Sequence, residues 1–362
     1  MFYRKSTYIS ILLFFLGIMF IALGTSMETI YIGANVTVNE SVIENHENVI
    51  QARDEKVVNI KLSFIGDSLV GSFKGENYTG NFRDLLEKND YSFPYKNVSN
   101  IFREDDFTIA NGENVFTDKN LLPVEKNHNP AYWYYAPSRF ANVYKESSIE
   151  IVSVMNNHSY DYGYDGYIDT KNAIKETGVI YGDEKPVIIE KEGIKIGILC
   201  INLFSRFQYE NCIKDIKKIR NDVNYIIIYF HGGTEYLYHP PLEIIEYSHG
   251  FIDNGADLVI GAHPHVLQPK EVYNKKIIIY SLGSFLFGGT RSFVNRTIIY
   301  QMNLEFHLDK NTIVEKDNII PCYLYSSKDF SNYESWLPSV IENEDEKKKV
   351  LDFMNGLIDK PI

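Results

Sequence analysis

Leu258-Val259-Ile260-Gly261-Ala262-His263-Pro264-His265 decides the fold class of this chain. An apolar run of strand length ends on a small-residue step, and two imidazoles separated by one residue follow at once. Side chains spaced that way at a strand end can point to one side and converge on a metal ion or an anionic substrate. A second apolar run, Ile277-Ile278-Ile279-Tyr280, ends in Ser281-Leu282-Gly283-Ser284, and helix-length segments separate such runs along much of the chain. Strands alternating with helices predict an α/β fold with crossover connections, in which ligands sit beyond the carboxyl ends of the strands.

Working upstream, the same pattern recurs. Tyr225-Ile226-Ile227-Ile228-Tyr229-Phe230 is too uniformly apolar for an exposed strand, so it is expected to be central, and it delivers His231-Gly232-Gly233-Thr234-Glu235-Tyr236. Ile149 to Val154 reads as a strand that runs into Asn156-Asn157-His158-Ser159-Tyr160-Asp161, a dense set of amide, imidazole and carboxylate. Phe107-Thr108-Ile109-Ala110 leads to Asn111-Gly112-Glu113, and the alternating stretch from Val58 to Phe64 stops at Gly66-Asp67. Each polar residue, taken singly, has an ordinary explanation as a cap, a turn or a satisfied core histidine. Their recurrence at Asp67, Glu113, Asn157-His158, His231 and His263/His265 argues for one site, gathered by crossovers at one edge of a sheet. Such a mixed oxygen and nitrogen donor set suits divalent Mn, Fe, Zn or Mg rather than a thiolate-type centre. Two such ions can activate a water for displacement at a phosphoryl or acyl centre.

The remaining elements follow from periodicity. Helices are expected over residues 81–88, 95–103, 138–146, 164–177, 211–221, from Pro240-Pro241 to 254, and near 344–357. Residues 187–190 and 194–201 flank Lys191-Glu192-Gly193 as a hairpin, and strands are expected over 297–304 and 312–320. Tyr132-Trp133-Tyr134-Tyr135, in an irregular stretch, fits packing beneath a long loop or the wall of a cleft.

At 362 residues the chain can bury one large core or two smaller ones, and its formal net charge of -12 leaves no basic surplus for nucleic acid. Arg4-Lys5 precede an uncharged apolar segment, so residues 7–26 are expected to enter the membrane with everything after them exported; Ala22-Leu23-Gly24 can also be read as a cleavage site. The expected organisation is an anchor or signal segment over 1–27, a polar stalk over 28–56, the main domain over 57–325 and a helical extension over 326–362. Three cysteines make no disulfide framework and are expected as buried thiols.

In order along the chain, six motifs resemble the capsule-biosynthesis CapA/PgsA family, linked to poly-γ-glutamate production. They are Gly66-Asp67; Asn111-Gly112-Glu113; Asn156-Asn157-His158 with Asp161-Tyr162-Gly163; His231-Gly232-Gly233-Thr234-Glu235-Tyr236; Gly255 through Val266; and Tyr280-Ser281-Leu282-Gly283-Ser284-Phe285. The likeness covers about residues 58–306. It implies a distant relationship to calcineurin-like metallophosphoesterases, hence a two-sheet core flanked by helices (an αββα sandwich), on an anchored domain outside the cytoplasm. It further implies metal ligands at Asp67, Glu113, Asn157, His231, His263 and His265, with catalytic roles for His158, His231 and, where the glycine turn folds back, Glu235. Two positions depart from the family: Gly112 replaces a usual leucine and Ser284 a usual asparagine.

The function expected from this resemblance is synthesis or export of an anionic polymer beside membrane-bound synthase or exporter subunits. The alternatives are a metal-dependent phosphoesterase or peptide or cell-wall hydrolase unrelated to capsule, and a binding domain with a decayed site. A polyanion approaching so acidic a chain requires a local positive charge.

Overall fold

The computed structural model describes residues 56–73, 82–127, 130–287, 295–327 and 333–361. The chain divides into two units, Met1–Glu55 and Lys56–Ile362. The expected anchor, and the stalk up to Glu55, lie outside the described residues; among those described, no helix is long and apolar enough to cross a membrane.

The smaller of two main sheets is built on the stretch quoted first. Its strand β10 (Tyr225–Gly232) is buried at every position and lies between β9 (Ile194–Leu203) and β11 (Leu258–Ala262), parallel to both, so it is central as its composition requires. Beyond β11 come parallel β13 (Lys276–Leu282) and then antiparallel β12 (Leu267–Tyr273), an edge strand the sequence reading left out. On the other side β8 (Val187–Lys191) closes the expected hairpin with β9. Although β10 is apolar throughout, its period of two still sorts its side chains. Tyr225, Ile227 and Tyr229 face the core between the sheets, whereas Ile226, Ile228 and Phe230 face α5 (Arg206–Ile219) and α6 (Leu242–Asp253).

The larger sheet is organised about β1 (Val57–Leu69), which pairs antiparallel with β15 (Thr297–His307) and parallel with β3 (Phe107–Gly112). Parallel β6 (Ile151–Ser153) and β7 (Ile180–Gly182) extend it one way, and β16 (Thr312–Tyr323) and β17 (Ser339–Val340) the other. Ile60, Leu62 and Phe64 of β1 meet Ile227, Tyr229 and Ile260 in the inter-sheet core. Each large side chain buried there stabilises the fold by roughly 1.5–3 kcal/mol. On the outer face pack α1 (Phe82–Lys88), α2 (Ser99–Phe102), α3 (Asn142–Glu146) and α4 (Gly163–Glu176), through residues such as Leu85, Phe102, Tyr144 and Ile174. Helix, sheet, sheet and helix thus form the four expected layers. A small third sheet joins β2 (Ser72–Phe73), β5 (Tyr134–Ala136) and β4 (Val115–Phe116). From the C-terminal stretch, α7 (Glu344–Met354) inserts Val350, Phe353 and Met354 into the inter-sheet core, within the unit that runs from Lys56 to the end.

Several boundaries differ from expectation for local reasons. β1 does not stop at Gly66-Asp67 but continues to Leu69, with register shifts at this point that let it pair both β3 and β14 (Ser284–Phe287). The helix expected over 95–103 is a 3-10 turn, Phe93–Tyr95, followed by the single turn α2; that expected over 138–146 is likewise a 3-10 turn before α3. α5 begins at Arg206 rather than at Asn211 because the Ser205 side chain caps it, accepting from the Gln208 amide. Cys200, Cys212 and Cys322 are free and buried, as expected.

Candidate metal centre

The candidate ligands do not share one sheet edge: two edges face each other. Asp67 lies in β1, Glu113 just past β3, and Asn157 and His158 in the turn after β6, all on the larger sheet. His231 lies in β10, with His263 and His265 after β11, on the smaller. Gly66 and Gly283 make the joint between them. A Cβ at 66 would fall 1.8 Å from the Gly283 carbonyl oxygen, and that same oxygen accepts from the Asp67 amide at 3.2 Å. Only glycine at 66 permits so close an approach of the two chains.

Asp67 is fully buried and held from several sides. Its Oδ1 accepts from Asn111 Nδ2 (2.9 Å) and lies 3.4 Å from His231 Nδ1; its Oδ2 lies 3.2 Å from His265 Nδ1 and accepts from the His263 amide (3.3 Å). Burial pushes this carboxyl up, but the hydrogen bonds of His231 and His265 outweigh it and hold Asp67 below the usual carboxylate range. Asn111 in turn is fixed by Asn156, whose Nδ2 donates to Asn111 Oδ1 (3.1 Å) and to the Gly112 carbonyl (2.9 Å).

Glu113 is in the opposite condition. Its Oε1 lies 3.9 Å from Nε2 of each of His158, His231 and His265, and among the described residues neither of its oxygens has a hydrogen-bond partner. Burial, reinforced by repulsion from Asp67, pushes its pKa well above the ordinary value. A buried carboxylate ringed by imidazole nitrogens and lacking a donor is costly for protein alone, and it is the arrangement a divalent cation completes. Ligand atoms of Asp67, Glu113 and His231 lie within 4.8 Å of one another, as do those of Glu235, His263 and His265. The donors are hard oxygens and imidazoles, so the set fits a divalent ion such as Mn, Fe, Zn or Mg.

Three of the imidazoles, those of His158, His231 and His263, are kept neutral by burial. Burial lowers the pKa of His158 and His231, and burial with two neighbouring histidines takes His263 down to about 2. His231 Nε2 lies 2.8 Å from Asn157 Oδ1 and 3.1 Å from His263 Nδ1. His263 and His265 both have left-handed backbone, φ 98° and 57°, a conformation costly for side-chain-bearing residues and characteristic of functional turns. This turn, rather than strand alternation, brings them to the centre.

The two family departures have local explanations. A Cβ at Gly112 would come within 2.7 Å of Val152 Cγ1 and 3.0 Å of the Tyr144 hydroxyl, so a leucine has no room. Ser284, paired in register with Asp67, places its hydroxyl 3.1 Å from His265 Nδ1 and supplies an orienting contact where an amide is usual. Glu235 and Asn157 are exposed, unlike the other ligand candidates.

The sequence marks Asp161 as part of a dense polar run and Tyr134 as part of an aromatic one, but assigns neither of them, nor Lys126, to the support of His158. Asp161 Oδ2 lies 2.7 Å from His158 Nδ1, which directs that nitrogen's proton outward and the Nε2 lone pair toward Glu113. Lys126 Nζ pairs with Asp161 Oδ1 at 2.5 Å, and the Tyr134 amide donates to Oδ2 at 2.8 Å. The Tyr134 ring lies tilted against the His158 ring, centroids 4.5 Å apart, so at least this member of the aromatic run is a wall of the site. Phe204 meets His263 edge-on at 4.8 Å. The carboxylate three residues beyond His158 was the available signal for Asp161; Lys126 and Phe204 carry none.

Residues 61–289 match the family described as bacterial capsule synthesis protein PGA_cap. The PGA biosynthesis protein CapA of Bacillus subtilis (strain 168) is 28% identical over 278 residues, 70% of this chain and 68% of that protein. The capsule biosynthesis protein CapA of Bacillus anthracis is 24% identical over 293 residues, 72% of this chain and 68% of that protein. Among solved structures, TT1561 of Thermus thermophilus aligns with 72% of this chain and 99% of its own at 11% identity and a TM-score of 0.39. An archaeal phosphodiesterase aligns with 72% and 100% at 11% identity and a TM-score of 0.31. With the matched span covering the centre, the whole smaller sheet and the larger sheet short of β15, β16 and β17, the chain belongs to the PGA_cap family of bacterial capsule synthesis proteins.

Proposed function

We propose that this capsule-family protein is anchored through residues 7–26, faces outside the cytoplasm, and serves the synthesis or export of an anionic polymer of the poly-γ-glutamate type as a divalent-metal-dependent hydrolase with a metallophosphoesterase-like core. Family membership supports the capsule role. The apolar segment after Arg4-Lys5 supports the anchor, and with it membrane-bound synthase or exporter subunits as partners.

One observation carries the chemical part: the buried, donorless Glu113 carboxylate equidistant from three imidazole nitrogens. In this reading Asp67, Glu113 and His231 hold one ion, His263, His265 and Glu235 offer a second position, and Asn157 adds an amide oxygen. A divalent ion held there supplies Lewis-acid polarisation and a water acidic enough to act at neutral pH. The chain's own residues do the rest. Asp161 and Lys126 fix the His158 ring so that Nε2 takes up or delivers a proton at the reacting centre. His231 serves both as a donor to the ion and as the link to Asn157. Tyr134 beside His158 and Phe204 beside His263 limit water at those rings.

The test is to incubate the full-length protein with Mn²⁺ and either poly-γ-glutamate or bis(p-nitrophenyl) phosphate, reading polymer chain length and p-nitrophenol release. Metal-dependent cleavage that falls by about 100-fold or more in His158→Ala is expected. A parent protein inert towards both substrates would remove the hydrolase from the account.

A further inference from the structure

We infer that a linear anionic polyamide is gripped in a lysine-lined cleft beside β7, the edge strand of the larger sheet, and is led from there to the metal centre. This deepens the proposed function and rests on its anionic-polymer reading. The metal centre itself is poorly suited to hold such a chain unaided, since Asp67, Glu113 and Glu235 converge there. The positive charge a polyanion needs lies elsewhere.

A cleft of about 530 Å³ between the end of α4, β7 and the start of β8 is lined by Lys171, Lys175 and Lys185, with Asp183 the one acid among its walls. Three cations against one anion is a local reversal on a chain of formal net charge -12. Lys171 is committed: it pairs with Asp183 at 3.2 Å and lies over the Tyr167 ring at 4.5 Å. Lys175 and Lys185 are exposed, and among the described residues neither joins an ion pair. The helix dipole accounts for Lys175, in the last turn of α4, but not for Lys185. β7 ends the strand order of its sheet, so its outer backbone edge can pair with the amides of an extended chain while lysines meet its carboxylates.

Residues 183–185 divide this cleft from a second. Asp183 and Lys185 line the first, and Glu184 lines the second, a space of about 480 Å³ that also takes in Tyr160, Asn202, Phe207 and Lys214. Glu184 is occupied by hydroxyl groups, accepting from Tyr167 at 3.2 Å and Tyr160 at 3.4 Å. Asp215 is the other acid on this wall. The amides of Asn202, Gln208 and Asn211 line the second cleft, as suits a polyamide backbone better than a purely ionic ligand. Asn202 stands in register with His231 and donates to the Asn156 carbonyl at 3.0 Å, so the inner end of this cleft adjoins the metal centre. Lysines outside, amides between and metal ligands within make one track.

The experiment titrates full-length protein into fluorescein-labelled poly-γ-glutamate and reads anisotropy at low and at physiological salt, with labelled dextran as the uncharged control. Parent protein is expected to bind the polyanion in a salt-sensitive manner and to ignore dextran. Lys175→Glu with Lys185→Glu is expected to weaken binding by about tenfold or more and to flatten the salt dependence. Lys175→Gln with Lys185→Gln should fall between, and circular dichroism and metal content should match the parent in both variants. Equal binding by parent and charge-reversed protein would overturn the lysine cleft while leaving the polymer as ligand. No binding by the parent would overturn the anionic-polymer reading, and the cleft with it.

Discussion

Asp67, Glu113 and Asn157 reach the centre from the larger sheet, whereas His231, His263 and His265 reach it from the smaller one. One side contributes buried carboxylates and the other imidazoles, and only packing of the two sheets brings the candidate ligands together. The sides also bear opposite burdens. Glu113 is a carboxylate held where burial opposes its charge, while His231 and His263 are bases held where burial opposes protonation. A divalent ion relieves both burdens together, and this complementarity is the physical argument for a metal centre.

The most severe way to break the pairing is at its joint. Gly66→Ala would drive a methyl into the Gly283 carbonyl, which approaches to 1.8 Å of the Cβ position. Stability is expected to fall by about 3 kcal/mol or more, read as the urea midpoint, with metal binding lost alongside. A variant as stable as the parent would mean that the sheets do not depend on this contact.

The opposite burdens give opposite pH signatures in metal-free protein. Because the folded pKa of Glu113 lies above its ordinary 4.5, its contribution is fully present below that value and is lost as pH rises through the folded value. Because His263 falls from 6.5 to about 2, its contribution is fully present above 6.5 and is lost as pH falls towards the folded value. Glu113→Gln should therefore raise metal-free stability at pH 8 by about 1 kcal/mol or more, with the gain shrinking towards pH 4. Added Mn²⁺ should reverse the order and favour the parent. A gain that does not vary with pH would show that Glu113 is not the strained group.

Finer adjustment falls to Ser284, which spans the two sides by pairing with Asp67 and touching His265. Ser284→Ala is expected to weaken metal affinity by about tenfold in a metal-buffered titration and to leave the unfolding midpoint where it was. An unchanged affinity would assign the orientation of His265 to Asp67 alone.

Much of this was legible before any coordinates. The apolar uniformity of β10 gave its central place, and the polar residues at the strand ends gave six candidate ligands and His158, which the structure gathers together, because both signals are local. Four features were not. The division of the ligands between two sheets depends on the Gly66 and Gly283 approach, a contact across more than half the chain that no spacing encodes. Asp67 was expected after a strand and lies within one, since the register shift in β1 is set by its neighbours β3 and β14. Lys126 and Phe204 reach the site from loops whose residue types carry no periodic signal. The short helices at 99–102 and 142–146 were overestimated because apolar spacing persists through their 3-10 turns.

The most direct measurement is the metal content of the purified full-length protein after incubation with Mn, Zn and Fe, beside a His263→Ala, His265→Ala double variant. Near-stoichiometric metal in the parent, with most of it lost from the folded variant, is the result expected if the smaller sheet supplies half of a shared centre. No metal in either protein would contradict the account and leave the buried Glu113 without the cation that explains it.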